Sequence, residues 1–223
     1  MGLFSRRSIE EPEEEVAEEA AATGPGPFDV ADVPELGGRI DLGALRIPPR
    51  PGMQVRVELD RATRKPVSLT LTDGASALQL QVYAAPRSSS LWDEIRPELA
   101  RSVTDRSGTC DEVPGVFGRE LLARMPVTTQ GGTGLRAVRF VGIDGPRWMI
   151  RGAFSGRAAL DTEAAAPLEE VLRDVVVVRG PHARPPREVL VLTLPGTTPA
   201  PEEAPSDDPL GILRRGPEMT EIR

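Results

Sequence analysis

The chain has 223 residues, 39% of them hydrophobic, and a formal net charge of −7 at pH 7. This length suits one well-buried domain, while 23 prolines and 22 glycines indicate substantial irregular segments. No run of residues approaches the ~20 apolar positions of a membrane-spanning helix, and glutamates stand where a signal peptide would have its apolar core. We therefore expect a cytoplasmic protein that does not enter a membrane.

The acidic charge lies at the two ends of the chain. Residues 1–30 hold eight acidic and two basic side chains (−6), and residues 195–223 hold six acidic and three basic ones (−3). Residues 31–194 hold 20 acidic and 22 basic side chains (+2). We therefore predict one domain at 31–194 between two disordered acidic tails. The second tail contains a short apolar-basic patch at 210–215, a candidate recognition segment.

The first predicted elements are the strands of an antiparallel sheet. Three segments, at 53–59, 67–72 and 77–83, alternate apolar and polar residues with the period of a half-buried strand. Asp73 and Gly74 mark a tight turn between the last two. Since each strand has one apolar face, the pattern predicts a sheet that packs on one side.

A helix at 91–105 follows the third strand. Apolar residues recur there at helical spacing on one face, and Ser90 is well placed to cap the helix N-terminus. Pro97 lies beyond the first turn and is expected to kink the helix. The residues of the apolar face are Trp92, Ile95, Leu99 and Val103.

A second pair of strands is predicted at 135–143 and 147–154. Residues 144–146 (Asp-Gly-Pro) mark the turn. Because proline cannot donate the closing hydrogen bond of a two-residue turn, we expect a four-residue loop, with Val141 facing Trp148 across the strands. Apolar residues occupy both faces of this pair, which predicts a central position with cover on both sides.

The remaining segments complete the pattern. We expect a flexible loop at 128–134, a second helix at 163–174, a buried strand of valines at 175–178 and a last strand at 189–194. Long stretches of alternating residues with two intervening helices are typical of a mixed fold. The sequence thus predicts a single α+β domain, with a largely antiparallel β-sheet and two main helices packed on it.

Few residues are suited to catalysis or metal binding. Cys110 is the only cysteine, which excludes an internal disulfide and any multi-cysteine metal site. As a nucleophile it would need His182, the only histidine, close by. The sequence has no Gly-Lys-Ser/Thr triplet of a phosphate-binding loop. We expect no catalytic residues, no cofactor and no metal, which favours a binding protein over an enzyme.

The clearest candidate for a binding site is arginine beside tryptophan. Arg87 precedes Trp92, Arg147 immediately precedes Trp148, and Arg151 follows on the same predicted strand. Arginine binds carboxylate or phosphate with two parallel hydrogen bonds, and aromatic faces hold a base or a guanidinium group. These five residues are the predicted ligand or partner site.

The same arginines also have an internal interpretation. Arg87 or Arg147 would then form an ion pair with Asp93, Glu94 or Asp144 and hold a loop in place. An arginine that is satisfied in this way is not available to a ligand. The sequence leaves both interpretations open.

Three segments resemble an uncharacterised bacterial family called domain of unknown function 3710. They are 83–96 (YAAPRSSSLWDEIR), 144–152 (DGPRWMIRG) and 177–194 (VVRGPHARPPREVLVLTL). The family has no established activity, so the resemblance implies membership and no catalytic residue. The order of elements is also similar to small α+β folds of the photosystem II extrinsic-protein type, which would imply binding more readily than catalysis.

Two functions follow as expectations. The first is a non-enzymatic binding or adaptor protein, which recruits an unidentified acidic protein partner through exposed arginines. The alternative is an enzyme or sensor that binds a phosphorylated, anionic small molecule in an Arg/Trp pocket. Nucleic acid is disfavoured, because a domain with a charge near +2 shows no basic stripe and the acidic tails oppose a polyanion.

Overall fold

The computed structural model describes residues 26–129 and 132–194. Residues 1–25 and 195–223, which include most of both predicted tails and the patch at 210–215, lie outside the described residues. The elements are, in chain order, β1 (Phe28–Asp29), β2 (Ile40–Asp41), β3 (Leu45–Ile47), β4 (Gln54–Leu59), β5 (Pro66–Asp73), β6 (Ser76–Ala84), α1 (Leu91–Asp105), β7 (Thr109–Gly115), β8 (Gly118–Thr129), β9 (Gly132–Gly145), β10 (Trp148–Gly156), a short 3-10 helix (Arg157–Ala159), α2 (Thr162–Arg173) and β11 (Val176–Val177).

The strands form two sheets. The main sheet has seven antiparallel strands in the order β4-β5-β6-β10-β9-β8-β7, and a small sheet has four short strands in the order β1-β11-β3-β2. Among the described strand pairs, β1 and β11 are the pair that runs parallel. The predicted α+β fold, with a largely antiparallel sheet and two main helices, is confirmed.

The two helices cover opposite faces of the main sheet. Leu91 and Trp92 of α1 pack with Met149 of β10 in one buried cluster. Ile150, the next residue of β10, packs with Leu168 of α2 in a second and larger cluster. Because neighbouring residues of a strand point to opposite faces, the helices lie on opposite sides of the sheet.

Helix α1 begins after the cap that the sequence indicates, and α2 begins at Thr162, one residue before the predicted start at 163. The Ser90 hydroxyl accepts a hydrogen bond from the backbone N–H of Asp93 (3.0 Å), which caps α1. Asp161 caps α2 in the same way, and α1 continues through Pro97 to its end. Within the described ranges, no helix is long and apolar enough to span a membrane.

The β9–β10 hairpin differs from its prediction in turn and register. Gly145 pairs with Trp148, so Pro146 and Arg147 form a two-residue turn and the four-residue loop is wrong. Proline fits this turn because it occupies the first central position, which needs its φ value and no hydrogen-bond donor. In the resulting register Val141 does not face Trp148, although both lie on the same face. The predicted central position, with β6 and β9 on either side of β10, is confirmed.

The flexible loop predicted at 128–134 is also wrong in part. Thr128 pairs with Thr133, and Thr129 pairs with Gly132. The strands therefore extend to both sides of residues 130–131, which lie outside the described residues. Threonine has a high strand propensity, and it outweighs the glycines that suggested a loop.

The folded part begins before residue 31, where composition placed the boundary. Phe28 and Asp29 form β1 and pair with Val176 and Val177 of β11. The indole Nε1 of Trp148 donates a hydrogen bond to Oδ2 of Asp29 (2.6 Å). The first residues of the domain directly follow the Gly-Pro repeat of residues 24–27, so composition alone assigned them to the tail.

The predicted last strand at 189–194 is present as two isolated bridges. Val189 pairs with Tyr83, and Leu192 pairs with Gly43. This segment runs beside the end of β6, because β5 pairs with β6 only as far as Leu80. Val189 thus pairs with a residue at the end of β6 that has no partner in β5.

Candidate functional site

Three segments meet where β6 and β10 lie side by side at one end of the main sheet. They are the β6–α1 loop (residues 85–90), the β9–β10 turn, and residues 179–190, which we call the strap. The backbone N–H of Ala85 donates to the carbonyl oxygen of Arg147 (2.9 Å). The strap joins them because Ala84 donates to the carbonyl oxygen of Glu188 and accepts from the N–H of Arg187 (both 2.8 Å).

Each of the three segments brings arginine to this place. Arg87 comes from the loop, Arg147 from the turn, and Arg179 and Arg184 from the strap. We call these four residues the arginine corner. Two of them, Arg87 and Arg147, were predicted as site residues. The other two were missed because the proline-rich strap reads as a linker, although it lies in a segment that carries the family resemblance.

Arg179 is the centre of the arginine corner. Its Nε donates to the carbonyl oxygen of Arg147 (3.1 Å), and its Nη1 donates to the carbonyl oxygen of His182 (2.8 Å). Burial lowers the pKa of the Arg179 guanidinium, and the charges of Arg147, Arg184 and Arg87 lower it further. Glu188 acts in the opposite direction. The positive charges of the other three arginines therefore lie near enough to Arg179 to act on it, and a bound anion would offset this repulsion.

The carboxylates that could have formed ion pairs with Arg87 and Arg147 interact with other groups. Asp93 pairs with Arg96 (2.6 Å), and Glu94 pairs with Arg187 (3.2 Å). Asp144 accepts hydrogen bonds at the start of α1. Within the described residues, the side chains of Arg87 and Arg147 form no hydrogen bond and no ion pair. The internal interpretation of these two arginines is therefore wrong for the described part of the chain.

Arg184 and Arg187 have carboxylate partners that hold the strap in place. Arg184 pairs with Glu188 (2.9 Å), within the strap itself. Arg187 pairs with Glu94 and with Glu98 (3.0 Å) of α1, and its backbone has a φ of 71°. These contacts fix the strap against the first turns of α1.

The β9–β10 turn presents Arg147 in an unusual backbone conformation. Arg147 has a φ of 64°, in the left-handed region that bulky residues rarely adopt. Such a conformation is favourable for glycine at this position of the turn. Because the backbone alone would favour glycine here, contacts elsewhere in the fold stabilise this turn, among them the hydrogen bonds to the carbonyl oxygen of Arg147.

Asp144 connects this turn to helix α1. Its Oδ2 accepts from the hydroxyl of Ser90 (2.7 Å), and its Oδ1 accepts from the backbone N–H of Leu91 (2.9 Å). The carboxylate also lies within 3.3 Å of the N–H of Trp92. A negative charge at this position stabilises the helix, because the N-terminus is the positive end of the helix dipole.

We expect Asp144→Ala to lower the free energy of unfolding by about 1–2 kcal/mol, because it removes an acceptor from the helix N-terminus. Urea denaturation followed by circular dichroism measures this change. Asp105→Ala, at the other end of the same helix, is the matched control and should have almost no effect. Equal losses in the two variants would contradict the capping role.

The two predicted tryptophans are buried, with exposures of 4% for Trp92 and 1% for Trp148. The Nε1 of Trp92 donates to the carbonyl oxygen of Arg119 (2.7 Å), and that of Trp148 donates to Asp29. Both rings thus form contacts inside the fold, and neither presents a face to solvent. Trp92 anchors the start of α1, next to the loop of Arg87, and Trp148 anchors the start of β10, next to the turn.

Arg151 lies on the face of the main sheet that α1 covers, and its contacts are internal. Its guanidinium lies 5.6 Å from the ring centroid of Tyr83 and donates to the side chain of Gln81. Its neighbours Tyr83 and Gln81 also share a hydrogen bond (2.9 Å). The structure does not bring Arg151 into contact with the arginine corner.

Cys110 and His182 lie on different parts of the fold. Cys110 packs under α1 with Leu99, whereas His182 is in the strap. Burial raises the pKa of the Cys110 thiol, and the nearby charges of Asp111 and Glu112 raise it further. A thiol with a raised pKa stays protonated at neutral pH, which is opposite to what a nucleophile requires. Among the described residues, no group of His, Cys, Asp and Glu could hold a metal ion.

Comparison with known families places the chain in one of them. A family model described as "Protein of unknown function (DUF3710)" matches residues 26–200. The chain therefore belongs to this family, as the three segments in the sequence suggested. No curated protein matches the chain.

Among solved structures, the chain is similar to a cyanobacterial PsbP (CyanoP) from Synechocystis sp. PCC 6803. The TM-score is 0.37 and the sequence identity is 11%. The match covers 63% of this chain and 91% of the other.

Proposed function

We propose that this chain is a non-enzymatic binding protein that recruits an acidic polypeptide at the arginine corner. The observation that carries this proposal is the meeting of four arginines, two of which have side chains without a partner among the described residues. Arginine pairs with carboxylates through two parallel hydrogen bonds, and such charge-assisted bonds are stronger than neutral ones.

The construction of the arginine corner supports binding more than catalysis. Buried tryptophans anchor the start of α1 and the start of β10, next to the loop and the turn, and the strap is fixed to α1 by ion pairs. Arg179 and Arg184 are already held by hydrogen bonds and an ion pair, so their side chains lose little entropy when a ligand arrives. The four residues of the corner are all arginines, and none of them is a side chain that commonly acts as a general acid, base or nucleophile.

A second candidate is a phosphorylated small molecule. Guanidinium groups bind phosphate in the same way as carboxylate. The charge of Arg147, on a strained turn, and that of Arg179, whose pKa is lowered by burial and then by its arginine neighbours, favour a compact anion with more than one charge. The two candidates differ in the size of the ligand and can be separated by the choice of probe.

We expect the double variant Arg87→Ala and Arg147→Ala to bind a short, blocked polyglutamate peptide about tenfold more weakly than the unchanged protein, because two charge-assisted contacts are lost. Isothermal titration calorimetry at two salt concentrations measures this, and the affinity of the unchanged protein should fall with salt. Inorganic pyrophosphate is the second probe.

Arg101→Ala with Arg106→Ala is the matched control, since it removes the same charge from an exposed part of α1 and its end. Equal losses in both double variants would contradict the proposal, because net charge alone would then explain the binding. Binding of pyrophosphate that depends on Arg87 and Arg147, without binding of polyglutamate, would replace the polypeptide with the second candidate.

A further inference from the structure

The β8–β9 hairpin projects beyond the rest of the main sheet. β10 pairs with β9 only as far as Ser155 opposite Val138, whereas β8 stays paired to the end of the hairpin. The chain turns away from this line at Gly156, where φ is 69°, and enters the 3-10 helix. Residues 133–137 of β9 therefore pair with a strand on one side only.

Two residues of this segment direct their backbone groups to the unpaired side. Along an antiparallel ladder, the N–H and C=O groups of successive residues point to opposite neighbours. Because Gly145 and Trp148 close the β9–β10 hairpin, the odd-numbered residues of β9 face β10. By this alternation Thr133 and Leu135 point to the side where β10 has ended. No described backbone group outside the ladder bonds to them.

This edge lacks the features that protect the two outer edges of the sheet. Exposed strand edges are normally blocked by charged residues, proline or bulges. β4 carries Arg56 and Glu58, and β7 carries two acidic residues and a proline. By contrast, residues 133–137 (TGLRA) hold one charged residue and no proline, and Leu135 is 72% exposed.

A groove of about 610 Å³ lies beside this edge. Its walls are the β5–β6 turn at residues 74–77, the end of β10, and Leu160, which is 65% exposed. The residues that line it are mostly small or apolar, and Arg136 is the only charged residue among them. The guanidinium of Arg136 forms no ion pair with a described carboxylate.

We propose that the free edge of β9 and this groove bind an extended, acidic segment of a partner protein by β-strand addition. The backbone groups of Thr133 and Leu135 would supply main-chain hydrogen bonds, and the groove would accept alternate apolar side chains. Charge complementarity with Arg136 selects carboxylates on the added strand. The edge lies at the opposite end of β6 from the arginine corner, so this inference goes beyond the proposed function and does not depend on it.

The probe is a short, blocked peptide that alternates Glu and Val, and its counterpart has Lys in place of Glu. We expect the Glu/Val peptide to bind and to slow hydrogen exchange at Thr133 and Leu135. Leu135→Pro removes one N–H that faces the added strand, and it should weaken binding about fivefold while the melting temperature stays similar. Arg136→Glu should reverse the preference between the two peptides.

Arg119→Glu is the control, because Arg119 is an exposed arginine of the same hairpin far from its tip, with a side-chain exposure of 76%. Binding that is unchanged by Leu135→Pro, or equally reduced by Arg119→Glu, would overturn the proposal. Light scattering supplies the other decisive result. A dimer that forms with increasing protein concentration and is lost in Leu135→Pro would make a second copy of the chain the occupant, and would also overturn it.

Discussion

Arg139→Leu should lower the free energy of unfolding by about 3–5 kcal/mol, the largest effect that we expect from a single substitution. Arg139 of β9 forms ion pairs with Glu120 of β8 and Glu169 of α2, both at 2.8 Å. The side chains of the two glutamates are 1% and 10% exposed. Removing the arginine leaves the buried carboxylate of Glu120 without a cation and leaves Glu169 with only its longer ion pair to Arg173 (3.8 Å), and burial strongly disfavours such charges.

Arg124→Leu is the matched control for this result. Arg124 forms an ion pair of the same length with Asp111 (2.8 Å), but the two side chains are 37% and 62% exposed. An exposed pair contributes at most about 1 kcal/mol, so this variant should remain close to the unchanged protein. Chemical denaturation gives both values. Similar losses of unfolding free energy in the two variants would show that the buried ion pairs of Arg139 stabilise the fold no more than an exposed pair does.

A triple variant separates the ion pairs from the packing of this network. Arg139→Leu combined with Glu120→Leu and Glu169→Leu removes all three charges together. Replacing a complete buried network with apolar residues is often close to neutral. We therefore expect the triple variant to recover much of the stability that Arg139→Leu loses.

Gly142→Ala should lower the free energy of unfolding by about 3 kcal/mol, because it forces a side chain into a packed core. A Cβ atom on Gly142 would overlap the indole ring of Trp92, which lies directly on the backbone of β9. The ring cannot easily move, since its Nε1 is bound to the carbonyl oxygen of Arg119 (2.7 Å). The expected result is therefore displacement of α1 from the sheet.

Gly134→Ala makes the same chemical change on the same strand and is its control. A Cβ atom at Gly134 meets no atom within 4 Å. Since alanine restricts the unfolded chain more than glycine does, this variant should be neutral or slightly more stable. Thermal denaturation of both variants tests the contact. A neutral Gly142→Ala would mean that Trp92 is not anchored on β9.

Local patterns were sufficient to predict most of the elements. The alternation of Leu78, Leu80 and Val82 with polar residues identifies β6, because one face of this strand packs on the core. Ser90 marks the start of α1 because its hydroxyl satisfies an N–H that has no partner inside the helix. Such patterns depend only on residues that are close in sequence, so they can be recognised before the three-dimensional structure is known.

The register of the β9–β10 hairpin could not be predicted in the same way. It depends on the positive φ of Arg147, a conformation that is unfavourable for arginine when considered alone. Contacts made by the rest of the fold stabilise this conformation, among them the hydrogen bonds to its carbonyl oxygen from Ala85 and Arg179. A sequence-based argument that considers only the turn therefore selects another loop.

The candidate site was predicted only in part, because it depends on contacts between residues that are far apart in the sequence. Arg87 and Arg147 were identified from their residue type, but their meeting with Arg179 requires the strap to pair beside the end of β6. That pairing exists because the first residues of β5, before Leu69, do not pair with β6, which no local pattern indicates. The two tryptophans that the sequence placed beside these arginines are buried, and their indole groups bond inside the fold.

The most direct test of the arginine corner observes its guanidinium groups during ligand binding. Nitrogen-15 NMR resolves arginine Nε–H signals, which can be assigned with single Arg→Lys variants and followed during titration with the blocked polyglutamate peptide or pyrophosphate. The proposed function predicts saturable shifts at Arg87, Arg147, Arg179 and Arg184, with Arg101 and Arg106 unchanged. Shifts of equal size at all six arginines, or none at the four arginines of the corner, would contradict it.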